Sequence, residues 1–148
     1  MSASRQDAAL LICWLSPGNH KYMPKSDKRG LARVFAAAAF SAAGLRAAWQ
    51  NEAAFRQESV LAIMLTPVAF WLGQSGLQRG VLLASLLFVL VVELLNSAVE
   101  AVVDRIGHDL HELSGQAKDM GSAAVLLSLA LMILIWASVA WDRFGAGP

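Results

Sequence analysis

Apolar positions run almost unbroken through Val81 to Asp104, VLLASLLFVLVVELLNSAVEAVVD, until Glu93, Asn96, Glu100 and Asp104 enter at regular intervals. At about 100° per residue, offsets of 3, 7 and 11 from Glu93 hold all four groups within roughly a third of the helix circumference. The pattern predicts a membrane helix, span 81–104, that turns polar along one stripe. A carboxylate near the bilayer centre costs roughly 2.5–3.5 kcal/mol on insertion scales, so such groups face a bundle interior and usually serve function. The plainer role for Glu93 and Asn96 is hydrogen bonding to neighbouring helices.

Upstream, Leu31, Val34, Phe35, Ala38, Ala42, Leu45 and Trp49 recur at helical spacing, which predicts an amphipathic helix over 31–58 lying on the membrane surface. Arg46 and Trp49 suit headgroup depth, where a cation meets phosphate and an indole sits half wet. If this helix ran on unbroken, Glu52 would fall close to the apolar stripe, so it needs a cation or a break. Arg56, four residues on, is one candidate partner. A metal ion is the other.

A first span follows at 60–77, with Thr66-Pro67 as a kink in its middle, and GQSGLQRG (73–80) joins it to the central helix as a tight hairpin. A charged loop, 105–122, leads to the last span, 123–141, which only Ser128 and Ser138 interrupt. Together these predict an all-α membrane protein with one surface helix and three transmembrane helices, forming a single domain over 31–148. Residues 1–30 read as a disordered extension outside that domain. Their apolar run is too short to span a bilayer and lacks a basic start and a cleavage site. Met23, followed by PKSDKRG, is an alternative start.

Composition agrees with the membrane assignment: 57% of residues are hydrophobic and only 16% charged. A net charge of +1 gives no pull towards nucleic acid, and none is expected as a partner. The single cysteine, Cys13, excludes an internal disulfide. Placement of the basic residues is more telling. Arg5, Lys21, Lys25, Lys28, Arg29, Arg33, Arg46 and Arg56 all precede the first span, whereas the hairpin holds only Arg79 and the C-terminus only Arg143. The excess of positive charge puts the N-terminus and the second loop in the cytoplasm and the C-terminus on the far side. The acidic stripe then emerges at the cytoplasmic surface.

Three sets of residues converge there: Glu52 with Arg56 and Glu58, Glu93 with Asn96 and Glu100, and His111, Lys118 and Asp119 from the loop. Magnesium prefers one or two carboxylates plus phosphate oxygens, and Lys or Arg offsets phosphate charge, so this mixture suits a magnesium nucleotide. Neither GxxxxGK[ST] nor GxGxxG occurs in the chain, so any ATP site is unconventional. His108 and His111 are half a zinc site with nothing to complete it. The residues alone reach a membrane enzyme or an ion-handling protein with a cytoplasmic acidic site.

The strings GLRAAWQNEAAFRQE (44–58), VELLNSAVEAVVDRIG (92–107) and HELSGQAKDMGSAAV (111–125) closely resemble the small prokaryotic integral-membrane diacylglycerol kinases. The resemblance covers roughly Arg33 to Trp141. It implies a homotrimeric bundle in the bacterial inner membrane, with C-termini in the periplasm, that transfers the γ-phosphate of ATP to diacylglycerol and yields phosphatidic acid. By that resemblance Glu93 is the catalytic base, Asn96 supports it, and Glu52 and Glu100 hold Mg2+ and the nucleotide. It also makes Arg33, Phe40, Asp109, His111, Lys118 and Asp119 nucleotide contacts. Arg33 and Glu93 again, with Ser41, Arg46, Trp49, Ala54, Phe55, Arg56, Gln57, Glu58 and Ser122, correspond to lipid-binding positions.

The chain departs from the family pattern in places. Phe40 stands where better-known members have tyrosine, Asp109-Leu110 replaces glutamate and tyrosine, and Gln116 replaces arginine. These changes leave the carboxylates intact and bear on the ATP contacts near Phe40 and Asp109. The nearest rival is an undecaprenol kinase of similar architecture, against which RIG and HELSGQAKDMGSAAV weigh. A rival of another class is a non-enzymatic ion-conducting or scaffolding trimer whose Glu93 and Glu100 line a polar path.

Overall fold

A computed structural model of the chain describes residues 31–106 and 111–145, and every regular element among them is helical. Residues 1–30, and with them the expected extension and the alternative start at Met23, lie outside the described residues. The helices are α1 (Leu31–Asn51), α2 (Ala53–Leu72), α3 (Gly76–Ile106) and α4 (Glu112–Phe144). The chain divides after Ser41 into two compact units, so the first eleven residues of α1 are described by themselves.

The surface helix expected over 31–58 is instead two helices parted at Glu52, whose φ of −104° and ψ of 115° are extended. Asn51 prepares the stop by turning its side-chain amide back on the Ala47 carbonyl at 3.0 Å, competing with the helix ladder. Arg56 then reaches across the break: its guanidinium donates to the carbonyls of Trp49 at 3.0 Å and Gln50 at 3.2 Å. Those are terminal carbonyls of α1, left without an intrahelical donor, and a cation at a helix C-terminus also complements its dipole. The candidate Glu52–Arg56 ion pair does not form, and the guanidinium is taken by these carbonyls instead.

The span expected at 60–77 also ends early. Its helix stops at Leu72, where Gly73 caps it by donating to the Ala69 carbonyl at 3.0 Å. A side chain at Gly73 would meet Arg79 Cγ at 2.8 Å and the Ala69 carbonyl at 3.2 Å, so the close turn requires a glycine. Only residues 73–75 lie outside helix, fewer than the expected eight-residue hairpin. Ser75 Oγ accepts from the Gln78 backbone N–H at 3.2 Å and Gln78 Oε1 from that of Gln74 at 2.8 Å. This is a variant of the Ser-x-x-Gln capping box in which the glutamine reaches the N–H of the residue before the cap. It begins α3 at Gly76, five residues before the apolar run.

Two helices, α3 and α4, are long and apolar enough to cross a bilayer, which with the all-helical architecture makes this an all-α membrane protein. Helix α4 starts at Glu112 rather than at the apolar Ala123, so most of the expected loop is helical. Ser128 and Ser138 satisfy their hydroxyls on the carbonyls of Val125 and Leu134, as a helix in lipid requires.

At the hairpin end, Ala69, Leu72, Leu82 and Val139 form a buried cluster joining α2, α3 and α4, with Leu83, Ile135, Trp136 and Ala140 against it. Arg143 closes this end by donating to the carbonyls of Trp71 and Leu72. Its guanidinium also lies 4.5 Å from the Trp71 ring centroid, within cation–π range. From Leu82 to Glu93 is eleven residues, or about 16 Å along the axis at 1.5 Å each, so the packed end anchors a site well removed from it.

Candidate functional site

The buried face of α3 passes through Leu82, Ser85, Leu86, Val89, Glu93 and Ser97. These positions follow one helical stripe, apolar near the hairpin and polar beyond it. Ser85 is neutralised locally, since its hydroxyl donates to the Leu82 carbonyl at 2.7 Å and accepts from Trp136 Nε1 at 3.2 Å. Glu93 is different: it is 4% exposed, and no ion pair holds it among the described residues. Asn96 and Glu100 are half-buried beside it, and Asn96 Nδ2 donates to Glu100 Oε1 at 3.0 Å.

The break between α1 and α2 brings a second source of acid to the same place. The carboxylate of Glu93 lies close enough to those of Glu100 and Glu52 for their charges to repel, and that of Glu58 is close enough to Glu93. Four carboxylates from two separate segments thus share one region, and Glu58 Oε2 is buried without a hydrogen-bond partner. Such a gathering is costly unless protons or a cation offset it.

Among the described residues, no three acidic, histidine or cysteine side chains form a ready metal cage. One or two carboxylates suffice for magnesium when phosphate and water supply the remaining ligands. The donor set fits that mode. Glu52 occupies the N-cap position of α2 without spending its side chain on a capping bond, and Glu100 engages Asn96 through one oxygen.

The start of α4 supplies the positive charge. Lys118 Nζ stands 2.5 Å from Asp104 Oδ1, tying the C-terminal end of α3 to α4, and both side chains remain partly exposed. Lys118 precedes the apolar stretch of α4, and the hydrogen bond to Asp104 raises its pKa above the ordinary lysine value. His111 caps α4: its Nδ1 accepts from the Leu113 N–H at 3.2 Å and its carbonyl from Ser114 and Gly115. The imidazole therefore has a structural task whether or not it meets a ligand. Asp119 and Ser122 are exposed on the same helix, and Asp109 lies outside the described residues.

On the N-terminal unit, Arg33, Phe40 and Ser41 are exposed, with Ser41 Oγ donating to the Ala37 carbonyl at 3.1 Å. Arg46 and Trp49 are exposed on the C-terminal part of α1, as are Ala54 and Gln57 on α2, whereas Phe55 is buried. Two residues of the site were absent from the sequence-based set. Asp104 belonged to the polar stripe without a stated partner, and Gly121 gave no chemical signal at all. A side chain at Gly121 would overlap Asn96 Oδ1 and lie 3.3 Å from its Cγ.

A model of the prokaryotic diacylglycerol kinase family matches residues 39–140. The chain is similar to the diacylglycerol kinase of Escherichia coli K12, with 52% identity over 120 residues, covering 81% of this chain and 98% of that one. It is 47% identical over 116 residues to the diacylglycerol kinase of Pseudomonas aeruginosa, covering 78% and 94% respectively. The diacylglycerol kinase of Haemophilus influenzae is 46% identical over 110 residues, covering 74% and 93%.

Proposed function

The chain belongs to the prokaryotic diacylglycerol kinase family, and on that premise we propose that it moves the γ-phosphate of ATP onto diacylglycerol at the cytoplasmic surface of the bacterial inner membrane. It is an enzyme, a diacylglycerol kinase. The observation that carries the site assignment is the gathering of Glu52, Glu58, Glu93 and Glu100 where the polar stripe of α3 meets the start of α2.

In this reading Glu93 is the general base. Its carboxylate accepts the proton of the lipid hydroxyl as that oxygen bonds to the γ-phosphorus, the bond to the β–γ bridging oxygen breaks, and ADP leaves. Phosphoryl transfer depends mainly on positioning and charge stabilisation, so the rest of the site aligns donor and acceptor. Glu52 and Glu100 would hold Mg2+, which when bound offsets the charge of the phosphate oxygens. Asn96 fixes the orientation of Glu100 by hydrogen bonding. Lys118, Asp119 and His111 are assigned to nucleotide contacts, and the family resemblance of their sequence positions alone extends that role to Arg33, Phe40 and Asp109. Arg46, Trp49, Ser122 and residues 54–58 are assigned to lipid contacts, a role the family resemblance also carries to Ser41 by its sequence position alone.

Helix α2 serves as a third span: its 20 residues are about 30 Å long, enough to cross the hydrocarbon with Arg56 and Glu58 at the interface. Three such protomers form a homotrimeric bundle, with N-termini cytoplasmic and C-termini periplasmic. A large exposed apolar surface on α3 and α4, including Leu87, Phe88, Leu126, Leu127, Ile133 and Leu134, is available to lipid and to neighbouring protomers.

The test is an assay of purified protein in lipid or detergent with magnesium, labelled ATP and either dioleoylglycerol or undecaprenol. Labelled phosphatidic acid supports the proposal. Label on the polyprenol alone assigns the other substrate, and label on neither rejects phosphoryl transfer to these lipids.

A further inference from the structure

Gly121 sits on α4 opposite Asn96 of α3, and the room left by its missing side chain is filled by the Asn96 amide. A methyl group built there would overlap Asn96 Oδ1, lie 3.3 Å from Cγ and 3.9 Å from Cα. The obstacle is therefore a short side chain with little freedom to retreat. Asn96 Oδ1 is itself buried and accepts no hydrogen bond among the described residues. Only Nδ2 is engaged, donating to Glu100 at 3.0 Å. Turning the amide over would set its oxygen against a carboxylate, so Glu100 fixes which way it faces, while the space at Gly121 fixes where it lies.

We propose that Gly121 is a positioning residue for phosphoryl transfer, whose bare backbone seats the Asn96 amide and thereby holds the Glu100 carboxylate in its working orientation. The proposal rests on the assignment of Asn96 and Glu100 to the magnesium-nucleotide site. Gly121 touches no reacting atom and acts through Asn96 alone. Helix propensity gives the argument a sharp edge, because alanine is favoured over glycine inside a helix. With no Asn96 contact, Gly121→Ala would leave turnover unchanged and the protein at least as stable.

The experiment is a double-mutant cycle on the full chain, purified in detergent, comparing Gly121→Ala, Asn96→Ala and the double variant. Each is assayed for kcat and for the KM values of Mg-ATP and dioleoylglycerol, and for the midpoint of thermal unfolding. A displacement of about 1 Å in a supporting group can cost roughly a hundredfold in rate. Gly121→Ala is expected to lose about tenfold to a hundredfold in kcat with the KM for dioleoylglycerol unchanged. Asn96→Ala is expected to lose a similar amount, and the double variant no more than Asn96→Ala alone.

Losses that multiply in the double variant would overturn the proposal, since Gly121 would then act other than through Asn96. Wild-type kcat in Gly121→Ala beside an impaired Asn96→Ala would overturn it while sparing the underlying assignment. Wild-type kcat in Asn96→Ala would defeat the assignment and the proposal together. Should Gly121→Ala fail to fold, the double variant decides: recovery of folding once Asn96 is shortened supports the contact, and continued failure rejects it.

Discussion

The guanidinium of Arg56 donates to the Trp49 carbonyl at 3.0 Å, spanning the break at which α1 ends and α2 begins. The same group reaches the Gln50 carbonyl at 3.2 Å, so one side chain closes two terminal carbonyls of α1. Glu52 lies between the anchor points, in extended backbone, and this is how a residue from the α1–α2 break comes within electrostatic reach of Glu93 on α3. Arg56 is thus a fastening for the acidic site.

Replacing Arg56 with leucine keeps an apolar stem and removes both hydrogen bonds. The unfolding midpoint in detergent should fall by the equivalent of about 1 kcal/mol, the scale of a charge-assisted bond at a partly exposed helix end. Turnover should fall further than stability, because Glu52 loses its fixed position. A thermal melt and a rate measurement on one preparation check both parts.

Lys118 and Asp104 make a separate prediction. Their pair is partly exposed, so Lys118→Met should change the unfolding midpoint little. If Lys118 also meets phosphate, its loss should raise the KM for Mg-ATP by about tenfold, the scale of one charged hydrogen bond. Exchanging the two residues, Lys118→Asp with Asp104→Lys, should restore the ion pair without restoring that KM. Initial rates over a range of Mg-ATP concentrations measure it.

At the hairpin end, Gly73 meets Arg79 and the Ala69 carbonyl so closely that a methyl group has no room. Gly73→Ala is expected to cost about 1–3 kcal/mol, the usual penalty for overpacking. Its backbone φ of −72° is open to any residue, so the whole cost is crowding. Thermal unfolding of the variant checks the size.

Ser85→Ala should destabilise the protein by about 1–3 kcal/mol, because the Trp136 indole N–H loses its acceptor in a partly buried setting. The site lies some turns away, so kcat of the folded fraction should remain near wild type. A melt and an activity assay separate the two effects.

Much of the candidate site was legible because helical periodicity is a local property. The stripe of Glu93, Asn96, Glu100 and Asp104 follows from 100° per residue, and it lies on the face of α3 that carries buried Glu93 and half-buried Asn96 and Glu100. The need for a break or a cation at Glu52 was legible for the same reason, and the break is present. Element ends were harder. The string GQSGLQRG between the two apolar runs reads as a hairpin over 73–80, whereas the Ser75–Gln78 pairing starts α3 at Gly76. Arg56 looked like a partner for Glu52 at four-residue spacing, but unpaired helix-end carbonyls compete for a guanidinium in ways that spacing does not reveal. Gly121 could not be found at all, since its role is defined by a side chain on another helix.

The central claim is that buried Glu93, among Glu52, Glu58 and Glu100, takes the proton of the lipid hydroxyl. Glu93→Gln keeps the shape and removes the base. Measured with magnesium, labelled ATP and dioleoylglycerol, its kcat should fall by at least about a hundredfold, the lower end of what general-base catalysis contributes, while unfolding and oligomeric state stay unchanged. A Glu93→Gln enzyme that made phosphatidic acid at the wild-type kcat would contradict the account.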